Sequence, residues 1–326
     1  MNHINWGIIG CGDVTEVKSG PAFNRVPHSS LVAVMRRNAE KAEDYAKRHN
    51  VPKWYNNIDD LLSNPDINAI YIATPPSSHE ELSLKALHAG KDVYLEKPMA
   101  LSATACLNIL SVADRLGRKL SVAHYRRFMP YFEKVKQLIS DGLIGEINSV
   151  NLRILQGRDN NVIAKTAENW RLDPSISGGG LFYDLAPHQI DLMIFLFGDV
   201  KSATGLSVNR YGNGQVDDIV SGQILFQNNI MFNGFWSFNN APLDNVDFCE
   251  IFGTKGKLSF GFFGETKISI KTADGENIME IVHPKHVQEP IIERVSAYFR
   301  EEGENPCSGE IGAEVLRVMD VFSGRI

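Results

Sequence analysis

Residues Ile4 to Ile9 form a short apolar run that stops abruptly at Gly10-Cys11-Gly12. This order, a buried strand feeding a glycine turn and then a helix, constrains the fold more than any other feature of the chain. Near-continuous apolar strands belong to parallel sheets covered on both faces. The pattern repeats. Leu31 to Met35, Ala69 to Ala73, Val93 to Leu95 and Leu120 to Ala123 read as further strands, with helical stretches at Ala39 to His49, Ser78 to His88 and Ser102 to Leu116 between them. Short apolar strands alternating with helices predict an α/β, doubly wound Rossmann domain over residues 1–125.

The pattern then changes. A helix from Pro130 to Ile139 leads to strands at Ile147 to Gln156, Ser202 to Asn209, Asp217 to Phe226, Ile230 to Phe238, Val246 to Phe252 and Ile268 to Lys271. Turn residues at Asn228-Asn229 and Lys255-Gly256 predict antiparallel pairing. Helices over Glu289 to Arg300 and Ser308 to Phe322, the latter capped by Ser308, close an α+β domain spanning 126–326. With 326 residues and 43% hydrophobic content, two domains are expected. No Pro/Gly/Ser-rich linker separates them, which predicts a tight interface with a ligand cleft.

A net charge of −6 with no run of like charges argues against nucleic acid or an anionic membrane as partner and favours a small molecule. The four cysteines, Cys11, Cys106, Cys249 and Cys307, are scattered without metal-ligand spacing, so no metal is expected and free thiols in a reducing compartment fit best. The opening Met-Asn-His lacks a signal segment and no apolar stretch approaches a membrane span, which together predict a cytoplasmic protein.

The glycine turn is the first half of a dinucleotide fingerprint, but Thr15 stands where the third glycine of GxGxxG is expected and Gly20-Pro21 breaks or restarts the helix. The acid that would bind the ribose 2′-hydroxyl of NAD is absent from the second strand end, where Arg36 and Arg37 stand instead. Guanidinium groups there favour the 2′-phosphate of NADP; the alternative is a pair of solvated arginines. Thr74-Pro75-Pro76 closes the Ala69 strand and His79 opens the next helix, at the carboxyl edge where doubly wound sheets bind ligands. His79 fits packing or cofactor contact better than catalysis. Glu96-Lys97-Pro98 closes the Val93 strand, so Lys97 would lie at the cleft, its ammonium able to stabilise a developing alkoxide; a surface lysine is the commoner fate. From Ser177 the chain runs Ser-Gly-Gly-Gly-Leu-Phe-Tyr-Asp-Leu-Ala-Pro-His, a glycine loop opening a helix that places Asp184, His188 and Asp191 on one face. A carboxylate beside an imidazole suits general acid/base work, although such pairs are often only surface or capping pairs. Pro187 would leave the Tyr183 carbonyl free, and three glycines would open the helix N-terminus to an anion or cofactor.

Taken in order, Gly10-Cys11-Gly12, Thr74-Pro75-Pro76 with His79, Gly90-Lys91-Asp92-Val93 leading to Glu96-Lys97-Pro98, and Gly178-Gly179-Gly180 leading to Asp184 and His188 resemble the glucose-fructose oxidoreductase / inositol dehydrogenase / MocA family. Tyr125-Arg126-Arg127-Phe128, Trp170-Arg171 and Gly253-Thr254-Lys255-Gly256 extend the likeness along nearly the whole chain. The resemblance implies a Rossmann domain followed by a domain with a large open, mainly antiparallel sheet, a nicotinamide cofactor between them, and homodimers or homotetramers formed through the sheet. It implies hydride transfer at a sugar-like or polyol carbon. Lys97 would polarise the reacting oxygen, His188 would be its general acid/base, and Asp184 would hold substrate or tune the site. Gly10, Gly12, Asp13, Val14, Arg36, Arg37, Thr74, Pro75, His79, Glu96, Lys97, Trp170 and Arg171 would meet the cofactor, with Tyr125 and Arg126 joining Asp184 and His188 on the substrate. Arg36 makes NADP(H) the expected cofactor over NAD(H). Remaining alternatives are an aromatic-diol dehydrogenase or a biliverdin-reductase-like enzyme, a glycosidase or epimerase that retains its cofactor, and a dinucleotide-binding regulator without catalysis. Substrate contacts are expected from the loop Gln156 to Val162.

Overall fold

A computed structural model describes residues 2–157, 170–210 and 216–326. Most of the loop expected to hold substrate, from position 158 to 162, lies outside the described residues. The chain divides into two compact units, Met1–Met129 with Pro284–Leu316, and Pro130–His283 with Arg317–Ile326.

In the first unit, β1 (Ile4–Ile9) leads through the glycine turn into α1 (Asp13–Val17), followed by β2 (Ser29–Met35), α2 (Ala39–Arg48), β3 (Lys53–Tyr55), α3 (Ile58–Leu62), β4 (Ala69–Ile72), α4 (His79–His88), β5 (Asp92–Leu95), α5 (Ala103–Leu116) and β6 (Leu120–Val122). The strands form one sheet in the order β3-β2-β1-β4-β5-β6, every pair parallel. This is the doubly wound dinucleotide order, in which the direction of winding reverses between β1 and β4. The expected break after α1 is present: a 3-10 turn over Gly20–Asn24 replaces the rest of the helix. A side chain at Gly20 would come within 2.2 Å of the Thr15 carbonyl oxygen and of the Tyr45 hydroxyl, so the close packing that a glycine at position 15 would give is supplied five residues later. Short β3 and α3 were not expected from the sequence. Trp6 of β1 is fully buried among Phe23, Tyr94 and Phe299, with ring centroids at 4.8, 6.3 and 5.5 Å. Each such aromatic pair adds about 0.5–1.5 kcal/mol beyond the area it buries.

The second unit begins with α6 (Pro130–Ser140), β7 (Ile147–Gly157), α7 (Pro174–Ser177) and α8 (Gly180–Phe197). Strands β8 (Val200–Val208), β9 (Ile219–Phe226), β10 (Met231–Asn240), β11 (Val246–Gly253), β12 (Gly256–Phe260), β13 (Lys267–Thr272) and β14 (Gly275–Glu280) follow. Among the described residues they form an eight-stranded sheet in the order β14-β13-β12-β11-β7-β10-β9-β8. Pairing is antiparallel throughout except between β7 and β10. Asn229, at φ 66°, makes the left-handed turn between β9 and β10 that the sequence marked. Burial alternates along β9 and β10, so one face is core and the other open. On the open face the side-chain amides of Gln223, Asn233 and Asn151 form a ladder, at 2.9 and 3.2 Å, across three strands.

The chain closes with α9 (Glu289–Phe299), which belongs to the first unit through Phe299, and α10 (Gly309–Phe322). Phe322 lies over cross-strand neighbours Gly205 and Gly222, where an added Cβ would approach it to 2.5 and 2.3 Å. No helix among the described residues is long and apolar enough to cross a membrane.

Candidate active site

The carboxyl edge of the first sheet gathers most of the residues singled out for a cofactor. Gly10 leaves β1 at φ +94°, a conformation that costs an L side chain about 1–2 kcal/mol. A Cβ there would also stand 2.7 Å from the Thr74 methyl. At Gly12 the same construction meets nothing within 4 Å, and no side chain caps the helix that follows. The backbone at the start of Asp13 and Val14 is therefore open to a ligand. Arg36, half-buried at the end of β2, donates from Nη1 to the Cys11 carbonyl at 3.1 Å, which fixes a guanidinium beside the glycine turn, while Arg37 is exposed. At the end of β4 the Ser78 hydroxyl bonds the Thr74 hydroxyl at 2.8 Å and the Pro75 carbonyl at 2.9 Å, holding that turn.

His79 is fully buried, its Nδ1 2.9 Å from the Pro98 carbonyl and its Nε2 2.8 Å from the Thr74 carbonyl. Burial pushes its pKa below the ordinary value, with the two carbonyls opposing. The ring thus ties the Thr74-Pro75 turn to the Glu96-Lys97-Pro98 turn from the interior. Lys97 is half-buried at the end of β5, and its backbone N–H donates to Glu96 Oε2 at 3.2 Å. The Glu96 carboxylate is buried and accepts at Oε1 from the Tyr71 hydroxyl at 2.5 Å and from Gln288 Nε2 at 2.7 Å. Tyr125 and Arg126 lie in a 3-10 turn after β6, both buried, with the guanidinium 5.3 Å from the Tyr125 ring centroid.

In the second unit, α8 starts from a left-handed turn at Gly178, and Gly180 has φ +78°. The expectation that the three glycines expose the helix start to an anion is overturned. All three are buried, the Ser177 hydroxyl accepts from the Gly179 and Gly180 amides at 3.3 and 3.0 Å, and the Gly178 carbonyl accepts from Arg325. A Cβ at Gly179 would collide with the Tyr183 ring at 2.2 Å and one at Gly180 with Val216 at 2.7 Å. The glycines are there to make the turn and to pack. Tyr183 in turn donates to Asp320 at 2.5 Å, and burial pushes both pKa values upward, so this pair anchors the first turn of the helix.

The helix runs through Pro187 without a break and presents Asp184 and His188 one turn apart. Asp184 Oδ2 accepts from Arg171 Nε at 2.7 Å in a largely buried ion pair, and Arg171 lies 4.5 Å from the Trp170 ring centroid. Trp170 and Arg171 were expected to meet a cofactor; in this unit Arg171 sets the orientation of Asp184. His188 is buried, with Phe263 packed edge-on against the imidazole at 6.0 Å between centroids. Asp247 holds that aromatic in place by accepting from the backbone amides of Phe262 and Phe263. Phe263 was missed from sequence, though its setting, two phenylalanines between Gly261 and Gly264, is a visible irregularity in an otherwise alternating sheet.

Residues 4–124 match the family described as an oxidoreductase family with an NAD-binding Rossmann fold, and residues 132–259 match the GFO/IDH/MocA C-terminal domain. The chain belongs to the Gfo/Idh/MocA oxidoreductase family. Oxidoreductase P35 of Formosa agariphila is 47% identical over 326 residues, 99% of each chain. The trans-1,2-dihydrobenzene-1,2-diol dehydrogenase of Mus musculus is 30% identical over 259 residues, 78% of this chain and 73% of its own. Among solved structures, levoglucosan dehydrogenase in complex with NADH and levoglucosan superposes with a TM-score of 0.84, covering 98% of this chain and 96% of its own at 23% identity, which speaks to the fold. A dinucleotide fits this Gfo/Idh/MocA oxidoreductase on its own geometry: the open side of Gly12 and the uncapped backbone after it leave room for a pyrophosphate.

Proposed function

We propose that this oxidoreductase transfers hydride between a nicotinamide dinucleotide, with NADP(H) favoured, and a secondary alcohol or carbonyl carbon of a sugar or polyol. The bound nicotinamide supplies the hydride acceptor or donor. The chain supplies the rest. Oxidising a CH–OH group needs a base for the hydroxyl proton and a cation near the oxygen as it becomes a carbonyl. Lys97 provides the ammonium and His188 takes the proton from the hydroxyl oxygen, returning it when the reaction runs as a reduction. Asp184, oriented by Arg171, accepts hydrogen bonds from a neighbouring substrate hydroxyl. Phe263 gives the imidazole an apolar neighbour that keeps water from one side of it.

The observation that carries the cofactor preference is Arg36, fixed on the Cys11 carbonyl where an NAD enzyme of this fold would present an acid. The sugar reading is supported by the solved relative that holds levoglucosan with NADH. A second reading, an aromatic diol as substrate, is favoured by the 30% identical dihydrodiol dehydrogenase. Parallel titration with NADPH and NADH, followed by nicotinamide fluorescence, tests the first part. Tighter binding of NADPH is expected, and equal or tighter binding of NADH would make Arg36 and Arg37 bystanders. Turnover with levoglucosan, inositol or D-glucose, against trans-1,2-dihydrobenzene-1,2-diol, then separates the two substrate classes.

A further inference from the structure

Behind Lys97 lies a set of polar contacts that the proposed chemistry does not itself require. Gln288 stands just before α9, in the segment that returns to the first unit, and is 1% exposed. Its backbone N–H donates to the Lys18 carbonyl at 3.1 Å, and His286 Nδ1 lies 2.6 Å from the Val17 carbonyl, so this segment is fastened to the end of α1. Its side chain reaches the other way. Gln288 Nε2 donates to Glu96 Oε1 at 2.7 Å, while Gln288 Oε1 accepts from the Tyr94 hydroxyl at 3.3 Å. Tyr71 donates to the same Glu96 oxygen at 2.5 Å, and its ring stacks on that of Tyr94 with centroids 5.1 Å apart. The second Glu96 oxygen accepts from the Lys97 amide.

We infer that Gln288 is a positioning residue for Lys97, linking the end of the glycine-turn helix to the strand end that carries the lysine. Among the described residues the groups hydrogen-bonded to the Glu96 carboxylate are donors, and a buried carboxylate keeps one orientation only while its donors are in place. Tyr71 and Tyr94 remain protonated, burial and the Glu96 charge holding both phenols well above their ordinary pKa. Gln288 completes the set. Its amide both fixes Glu96 and belongs to a residue tied through its backbone to the end of α1. Losing that donor frees the carboxylate to rotate, the Lys97 N–H loses its acceptor, and the ammonium loses its aim; small displacements of a catalytic group are costly to rate. The inference rests on the hydride-transfer reading for its kinetic consequence but not for its structural one.

The test uses the full chain with Gln288→Met, which keeps volume and removes the donor, and Gln288→Glu, which places a second carboxyl against Glu96. Amide hydrogen exchange at Lys97, measured without cofactor, is expected to be at least tenfold faster in Gln288→Met, while Ile8 and Ile72 in β1 and β4 stay within twofold. Single-turnover oxidation of levoglucosan, inositol or D-glucose at saturating NADP+ is expected to slow at least tenfold, with dinucleotide Kd within threefold of the parent. Gln288→Glu gives a signature that a filler residue cannot. Among the described residues the titratable groups hydrogen-bonded to the Gln288 side chain are Glu96 and Tyr94, with Tyr71 on the same Glu96 oxygen, so at low pH the new carboxylic acid donates to Glu96 and the rate approaches the parent's. It falls as pH rises and the two carboxylates repel, a limb absent from the parent and from Gln288→Met. Unchanged exchange at Lys97 in Gln288→Met overturns the inference, as does equal acceleration at Ile8 and Ile72, or a rate defect that disappears at saturating dinucleotide. Were the parent protein to transfer no hydride to any of these probes, the functional reading would fall, and the exchange at Lys97 would still decide the role of Gln288.

Discussion

In the proposed mechanism Lys97 and His188 divide the work that oxidation of an alcohol demands, a cation for the oxygen and a base for its proton, and each rests on a different support. Lys97 sits above the Glu96 carboxylate with its three donors; His188 sits on α8 against Phe263. Replacing either with alanine is expected to lower the single-turnover rate of hydride transfer by a factor of about 10² or more, the typical contribution of one proton-transfer or electrostatic group, with dinucleotide affinity nearly unchanged. Stopped-flow absorbance of the reduced nicotinamide measures both, and unchanged turnover in either variant would remove that residue from the mechanism. At this scale the sequence made the positions of Lys97 and Asp184 readable, because Lys97 stands just after a short apolar strand and precedes Pro98, and Asp184 lies in the first turns of a helix opened by glycines. It was a poor guide to their neighbours. Nothing in the local pattern links Arg171 to Asp184 thirteen residues away, and nothing links Gln288 to Glu96 across 192 residues. Such partners are set by tertiary packing, to which local periodicity is blind. The glycines before α8 illustrate the converse: the motif was plain, but the reason for it, room for Tyr183 and Val216, was not.

One of the shortest helices, α1, carries a heavily charged contact. Glu16 of α1 receives Arg48 of α2 through both guanidinium arms at 2.8 Å, and His49 Nε2 lies 2.8 Å from the same carboxylate. Hydrogen bonding from Arg48 pulls the Glu16 pKa down to about 2, with burial opposing and His49 assisting. The folded protein therefore binds fewer protons at this site than the unfolded chain between about pH 2 and the ordinary glutamate range. The stabilisation is present in full above that ordinary range and is lost as pH falls towards 2. Because the Glu16 side chain is 33% exposed, solvent screening trims the contribution to about 1 kcal/mol. Glu16→Gln is accordingly expected to be less stable than the parent near pH 7 by about that amount, with the gap closing towards pH 2. Denaturant unfolding at several pH values measures it, and a gap independent of pH would contradict the assignment. Most long elements could be read from periodicity alone. β3 and α3 could not, being three and five residues long, too short to display a period. The parallel pairing of β7 with β10 was equally hidden, since strand patterns do not say which partner a strand takes.

For the molecule as a whole, two sheets of different character were legible because their hydrophobic patterns differ: continuous apolar strands in β1, β4 and β5, alternating ones in β9 and β10. The return of Pro284–Leu316 to the first unit was not legible, for α9 carries no mark of the surface it packs on until Phe299 is seen against Trp6. That return also brings Gln288 to Glu96, so the chain order of the two units bears directly on the site. The central claim is net hydride transfer by this architecture, and it separates the dehydrogenase reading from a cofactor-retaining glycosidase or epimerase and from a dinucleotide sensor. The direct measurement uses NADPH deuterated at the transferred C4 position of the nicotinamide, with the carbonyl forms of sugars and polyols as acceptors and mass spectrometry of the products. The account predicts deuterium on the new carbinol carbon in a one-to-one ratio with NADP+ formed. Deuterium that never leaves the nicotinamide, or product formed with no NADP+ released, would contradict it.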